Sequence, residues 1–302
     1  MTASVKDLRR SLARHLMGAE PGDRLPPIRT LAVHFGASVG ATQIALSGLV
    51  ADGALVLDSR PGRGAFLVSR DIGRLYHTAD PGPLLVCLSL PSTDRIHGLA
   101  TAIKSSFVAA GVEVYLVFTR GSRPRLEALR KGRNHITVVS AMAADALAAP
   151  DLATVLVLMP NSFVREHRVY FIAGRSATST MRVAVDRSSL DFERLTALEF
   201  AGQEVEFVDM NYLTTIRAMQ TGTIDAAILD VEDVMMRFPA DIGSRPLSAD
   251  VVTLLDDANT RAAFVCRSQD VLVRALVQAC LDPVRLMAAQ AEVISGVRPP
   301  EY

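Results

Sequence analysis

A chain of 302 residues with 49% hydrophobic and 21% charged side chains has ample apolar surface to bury, which excludes a disordered polymer and suits about two domains. No apolar run approaches the roughly 20 residues of a membrane span, and the opening MTASVKDLRRSLARHL lacks a continuous apolar core, so a cytoplasmic protein is expected. Lys and Arg balance Asp and Glu at 32 each, yet residues 1–70 hold nine cations against five anions and the remainder 23 against 27. A local basic surplus on a small head suits contacts with phosphate. Cys87, Cys266 and Cys280 are odd in number and far apart, which fits reduced thiols and neither a disulfide nor a zinc framework.

In chain order, Val5, Leu8, Leu12 and Leu16 follow helical spacing and predict a first helix ending at Gly18. Leu25-Pro26-Pro27 sets up a second helix carrying Ile28, Leu31, Ala32 and Phe35, because proline fits a first turn whose N–H has no partner anyway. Gly36-Ala37-Ser38 reads as a turn with a capping serine, and a third helix is predicted over 39–52. Two short helices across a tight turn form a helix-turn-helix. The strand-like runs 54–57 and 65–68 flank the basic turn SRPGRG and read as a β-hairpin wing.

Leu25, Pro26, Arg29, Leu31, Ala32, Gly36, Ser38, Ala45, Leu46, Leu49, Gly53, Gly62, Arg63, Gly64 and Phe66 match, position by position, a pattern that resembles the GntR-type winged-helix domain. The resemblance implies that Arg29, Arg60 and Arg63 touch the DNA backbone and that the protein binds double-stranded operator DNA. The chain departs from the family at Val39 and Gln43, where arginines are common, so Gln43 is the candidate reader of adenine, with Ser38 and Thr42 as candidates for phosphate or base edges.

Residues 71–83, polar and closing on DPGP, read as a linker. Beyond it the pattern becomes alternating α and β: an apolar strand at 84–90, a helix at 95–110, a strand at 112–118, a helix at 123–131 and a strand at 136–139. A second block repeats it, with strands near 182–186, 204–208 and 225–229 and helices at 189–200 and 211–221. The alternation predicts parallel sheets, with 153–159 and 169–173 as strands crossing between two lobes. A strand at 262–266, a helix opening at Ser268 and a last helix starting at Pro283 return to the first lobe.

The stretches SLPSTDRIHGLATAI, TRGSRPRLEALRKGRNHITVVSAMAAD, DRSSLDFERLTALEF and VDMNYLTTIRAMQTGTIDAAILDVEDV resemble the C-terminal domain of YhfZ-type regulators, itself similar to type 2 periplasmic binding proteins. The expected fold class is therefore α/β: an N-terminal winged helix-turn-helix (α+β), residues 1–70, a linker 71–83, and a two-lobed periplasmic-binding-protein-like effector domain, residues 84–302. Lobe 1 takes about 84–160 and 258–302, and lobe 2 about 165–255. The resemblance implies a sensor in which one part binds DNA and the other a small molecule.

Ligands of open α/β sheets sit outside the carboxyl ends of strands, where helix N-termini collect anions. The candidates there are Ser89, Ser92, Arg95, Thr119, Arg120, Ser122, Ser140, Arg187, Ser188, Ser189, Asn211 and Asp230, and their hydroxyls and arginines point to an anionic metabolite. The serines also read as helix caps, Arg187 as a partner of Asp186, and Asp225 as a tie between helix and strand. His97, His135 and His167 are widely spaced and form no metal set. The motifs of common hydrolases, kinases and dehydrogenases are absent, so neither catalysis nor a cofactor is expected. The expected function is a ligand-responsive transcriptional regulator acting as a homodimer. The alternatives are a small-molecule-binding protein whose winged helix no longer reads DNA and, further off, an enzyme on a binding-protein-like fold.

Overall fold

The computed structural model describes residues 4–173, 180–233 and 242–302. Two compact units emerge, one formed by residues up to Leu84 with 104–115 and 269–282, the other by 85–103, 116–268 and 283–302.

The first unit opens with α1 (Val5–Leu16), whose first turn is closed by Ser4 accepting the Asp7 N–H. Helices α2 (Ile28–His34) and α3 (Val39–Ala51) follow and cross at 105°, within the usual range for a helix-turn-helix. The turn between them uses Gly36 at φ +59°, and Ser38 caps α3 by accepting the Ala41 N–H at 3.1 Å. Leu8, Leu12 and Leu16 of α1 and Leu31, Ala45 and Leu49 of the pair are almost wholly buried, and α1 and α2 both pack on α3.

Strands β1 (Leu55–Arg60) and β2 (Gly64–Arg70) form the wing. Its ladder reaches further than the sequence implied. Ser59 pairs with Ala65 and Arg60 with Gly64, so only Pro61, Gly62 and Arg63 turn. One contact crosses the ladder near its turn: the Arg60 guanidinium lies 4.6 Å from the centre of the Phe66 ring, and Asp58 of the same strand pairs with the guanidinium at 2.7 Å.

The stretch expected to be a linker folds as α4 (Ile72–Ala79). Asp71 caps it, and Leu75, Tyr76 and Ala79 are buried where it packs on α1. Arg14 donates to the last carbonyls of α4 at Ala79 and Asp80. The polar letters of the stretch belong to the outer face of a helix whose apolar residues recur at three- and four-residue spacing.

The chain then runs through β3 (Leu84–Leu88), α5 (Asp94–Ala109), β4 (Val114–Phe118), α6 (Ser122–Arg130), β5 (Ile136–Ser140), α7 (Ala141–Ala146) and β6 (Leu152–Val157). The second sheet draws on β7 (His167–Ile172), β8 (Met181–Val185), α8 (Leu190–Glu199), β9 (Val205–Asp209), a 3-10 turn at Tyr212–Thr214 leading into α9 (Thr215–Gln220), β10 (Ala226–Asp230), β11 (Ile242–Pro246) and α10 (Ala249–Leu255). The last elements are β12 (Ala262–Arg267), α11 (Val271–Cys280) and α12 (Pro283–Ile294).

Two five-stranded sheets result, with orders β4-β3-β5-β12-β6 and β11-β7-β10-β8-β9. Both are mixed, not parallel as expected: β12 runs antiparallel to β5 and β6, and β7 antiparallel to β10 and β11. Of the segments 153–159 and 169–173, expected to cross between lobes, 153–157 belongs to β6 and 169–172 to β7. The crossings are the loops that precede β7 and β12, residues 158–166 and 256–261. Asn161, Asp256 and Asp257 stand there at positive φ, a conformation that Asn and Asp tolerate better than most residues. A strand that re-enters the first sheet after a visit to the second arrives from the opposite end, which makes β12 antiparallel. Helix α11 begins at Val271 under an Asp270 cap, slightly later than Ser268, while α12 starts at Pro283 as expected.

Val169, Val183, Leu195, Phe200 and Ile228 form the core of the second sheet's lobe, and Leu126, Leu129, Val139, Ala263 and Val265 form one under the first. The three cysteines are free thiols. Among the described residues no single helix is long and apolar enough to cross a membrane. Leu49 of α3 is fully buried, so Leu49→Ala should cost about 2–5 kcal/mol, read as a lower urea midpoint for the head.

Candidate ligand cavity and DNA-binding face

The carboxyl ends of strands from both sheets converge on a cavity of about 80 Å³, room for about two or three waters or one very small metabolite. From the first lobe come Ser89, Ser92 and Thr93 after β3 and Arg120, Gly121 and Arg125 after β4; from the second come His167, Ser189, Asp191, Tyr212, Asp230 and Asp233. Leu90, Ile96, Phe163, Val164 and Phe192 add apolar walls.

Polar bridges tie the lobes around it. Arg95 grips Glu232 with two hydrogen bonds, at 2.7 and 2.8 Å, and also donates to the Asn161 carbonyl. Arg120 pairs with Asp186, Arg123 pairs with Glu193 at 2.6 Å, and the Ser140 hydroxyl donates to Asp191. The Leu190 N–H donates to the Ser122 hydroxyl at 2.9 Å and the Arg123 N–H to the Ser188 carbonyl at 3.1 Å. Gly121 is where the backbones come closest: a Cβ there would lie 2.7 Å from both the carbonyl and hydroxyl oxygens of Ser188.

The electrostatics of the cavity are uneven. Arg125, only 3% exposed, donates from Nη1 to the Thr119 carbonyl at 2.9 Å, while its Nε has no partner. Burial lowers its pKa and the nearby Cys87, Asp191 and Tyr212 oppose that shift, yet an arginine keeps its charge in any case. The buried Ser89 hydroxyl likewise lacks a partner. On the other side, burial pushes the Asp230 carboxyl up to about 7, aided by Glu232 and Asp233 and opposed by the Glu232 N–H and by Arg95. Burial also raises Asp191 against the pull of the Ser140 hydroxyl and of Arg125. Burial would raise Asp186 too, but hydrogen bonds from Ser188, the Tyr212 N–H and Arg120 hold it below the usual carboxylate value. His167 is pushed down to about 4 by burial and is therefore a neutral imidazole at neutral pH, its Nδ1 3.0 Å from the Asn259 amide nitrogen. Burial is also the main reason that the Tyr212 phenol rises to about 12.

In the head, Arg29 is exposed on α2, Gln43 is exposed on α3 beside Ser47 at 3.4 Å, and Arg63 is exposed at the hairpin turn. Ser38 is exposed but its hydroxyl is occupied as the cap of α3. Thr42 departs from expectation: it is fully buried, with its hydroxyl donating to the Ser38 carbonyl at 2.9 Å, so it packs the helix pair and has no surface to offer DNA. Helix α3 carries no charged residue and exposes Val39 and Ile44. A groove of about 680 Å³ runs between the start of α2, α3 and the wing, and Arg24, Gln43, Ser47 and Ser59 are its polar lining.

A family model described as the YhfZ C-terminal domain matches residues 71–302, and one described as a helix-turn-helix domain matches residues 20–67. The protein YhfZ of Escherichia coli (strain K12) is 33% identical over 297 residues, which span 97% of this chain and 95% of that one. The chain belongs to the YhfZ family. The crystal structure of YhfZ from Shigella flexneri shares 29% identity and a TM-score of 0.64 over 76% of this chain and 97% of that one. A fainter likeness, with a TM-score of 0.45 at 16% identity, is to the periplasmic aliphatic sulphonate binding protein SsuA from Escherichia coli, over 73% of this chain and 84% of that one.

In this YhfZ-family chain five of the twelve residues expected at the strand ends line the cavity: Ser89, Ser92, Arg120, Ser189 and Asp230. The others have different work. Arg95, Ser122 and Ser140 bridge the lobes, Ser188 holds Asp186, and Thr119 offers its carbonyl to Arg125. Asn211 caps the 3-10 turn by accepting the Leu213 N–H, and Arg187 lies exposed between Glu193 at 3.5 Å and Asp209 at 3.8 Å. Asp225 ties strand to strand through Arg182. Sequence reasoning missed Arg125, His167, Asp191, Tyr212 and Asp233. One signal for Arg125 was there: it sits in register with Leu126 and Leu129 on the buried stripe of α6.

Gly121→Ala should destabilise the protein more than Gly202→Ala in thermal unfolding. Both glycines have positive φ, but only the Gly121 Cβ meets backbone across the lobes, whereas nothing lies within 4 Å of Gly202. The raised pKa of Asp230 means that its favourable protonated state is fully held below the unfolded carboxylate pKa of about 4 and lost as pH rises through about 7. The stability of Asp230→Asn should therefore gain on that of the parent between those two values, as read by urea unfolding at each pH.

Proposed function

We propose that the chain is a ligand-responsive transcriptional regulator. Its winged helix binds operator DNA as part of a homodimer, and a small metabolite with an anionic group occupies the cavity and alters DNA affinity. The observation that carries this reading is the presence, in one chain, of a helix-turn-helix domain and of a cavity holding a buried arginine with an unpartnered Nε. A buried, permanently charged group without an ionic partner is costly, and a bound carboxylate or phosphate oxygen would relieve it. A dimer is implied because one small head binds weakly, whereas paired heads read half-sites about one helical turn apart. DNA as partner puts the protein in the cytoplasm. We read the cavity as a binding site, not a catalytic one, because it stands in one chain with a helix-turn-helix domain.

The uncharged α3 with Val39 and Ile44 exposed favours a second reading, in which the cavity binds its ligand and the winged helix no longer reads DNA. Salt dependence separates the two. With duplexes selected from a random pool, Arg29→Ala and Arg63→Ala should each weaken binding to all sequences and flatten the slope of log affinity against log salt by about 1, while Gln43→Ala should chiefly relax sequence choice. An unchanged slope for Arg63→Ala would remove the wing from the interface. A parent protein that selects no duplex would favour the second reading.

A further inference from the structure

The two walls of the cavity carry opposite chemistry. Its cations, Arg120 and Arg125, come from the first lobe, and its carboxyls, Asp191, Asp230 and Asp233, from the second. Arg120 is already paired with Asp186, which leaves Arg125 as the cation for a ligand. It stands in the first turn of α6, a helix of nine residues whose N-cap, Gly121, also lines the cavity, so the helix dipole and the guanidinium favour an anion at the same place. Two residues of the lining, Arg125 and Ser89, each hold a buried donor without a partner, the Arg125 Nε and the Ser89 hydroxyl.

The opposite wall asks for a donor. Asp230 spends one oxygen on the Glu232 N–H at 3.0 Å, and no ion pair is made to it among the described residues. Arg95 lies near but is committed to Glu232 by both oxygens. Asp191 takes one hydroxyl hydrogen bond, from Ser140, and is otherwise buried. A ligand with only an anionic group would take up Arg125, whose charge now acts on Asp191, and would leave Asp191 and Asp230 with no donor of their own from the ligand. Phe163, Phe192 and Ile96 line the space between the two walls with apolar surface.

We propose that the cavity takes a small zwitterion, an amino acid or an amino sulfonate, with its anionic group on Arg125 and the start of α6 and its ammonium group on Asp230 and Asp191. The assignment rests on the ligand-cavity half of the function proposed above and adds the ammonium half. It makes the second lobe a reader of charge and not merely a lid. The cavity volume of about 80 Å³ restricts the occupant to a compact molecule with a short side chain.

The test is isothermal titration of the full chain with matched triplets: glycine, L-alanine, D-alanine, L-serine, L-valine, β-alanine and taurine, each beside the acid lacking its amine and the amine lacking its acid. The expected result is that at least one zwitterion binds and that removing either end weakens it about tenfold or more, about 1.4 kcal/mol. Arg125→Met should then abolish the preference over the plain amine, and Asp230→Asn the preference over the plain acid. If the amine-free acid binds as tightly as its zwitterion, the proposal is overturned while an anion-responsive regulator survives. If the acid-free amine binds as tightly, the proposal and the anionic ligand fall together. If no zwitterion of the panel binds, the proposal is overturned, and the DNA-binding half of the function, judged by salt dependence, is untouched.

Discussion

An arginine cannot shed its charge, and the second unit of this protein buries one, Arg125, with a single carbonyl as partner. Much of the surrounding architecture can be understood as accommodating that group. The guanidinium stays where it is because α6 is anchored by Leu126 and Leu129 in the core beneath the first sheet. The carboxyl that acts on it, Asp191, makes no ion pair with it and takes its hydrogen bond from the Ser140 hydroxyl.

The same economy governs the contact between the lobes. Nearly every bridge is polar, and each sits at the end of a strand or the start of a helix, where backbone groups lack partners in the regular structure. Arg95 with Glu232, Ser122 with Leu190 and Ser140 with Asp191 add oriented hydrogen bonds to the apolar contacts that Met142 and Leu190 make across the seam. Such an interface can open at modest cost because water replaces what is lost. Two crossing loops, turned by Asn161, Asp256 and Asp257, are the covalent links on which opening would hinge. A ligand that spans both walls stabilises the closed arrangement by exactly its differential affinity, and one with equal affinity for open and closed forms shifts nothing.

The winged helix was legible almost residue by residue because its signals are local: prolines before α2, a glycine turn, a capping serine and a glycine-rich hairpin. What the sequence hid there was burial. Thr42 looks like a contact residue in a list of letters, yet its place one turn after Ser38 turns its hydroxyl onto the helix backbone. The α/β alternation was legible too, but not the direction of β7 and β12, because strand polarity depends on which sheet the chain visits in between. For the cavity, inspection of strand ends found Ser89, Ser92, Arg120, Ser189 and Asp230. It missed Arg125, Asp191 and Tyr212, which reach the cavity from within helices or turns and depend on side-chain direction. Arg95 and Ser140 were found at the right ends of the right strands, yet they face the partner lobe across the seam.

Coupling between the head and the cavity is read from the dissociation constant of a selected duplex, measured with and without a compound that calorimetry shows to saturate the cavity. Coupling of ordinary strength, about 1–3 kcal/mol, predicts that the two constants differ by roughly 5- to 150-fold. Equal constants at full occupancy would contradict the account, leaving a DNA-binding head and a ligand-binding domain that share a chain without informing each other.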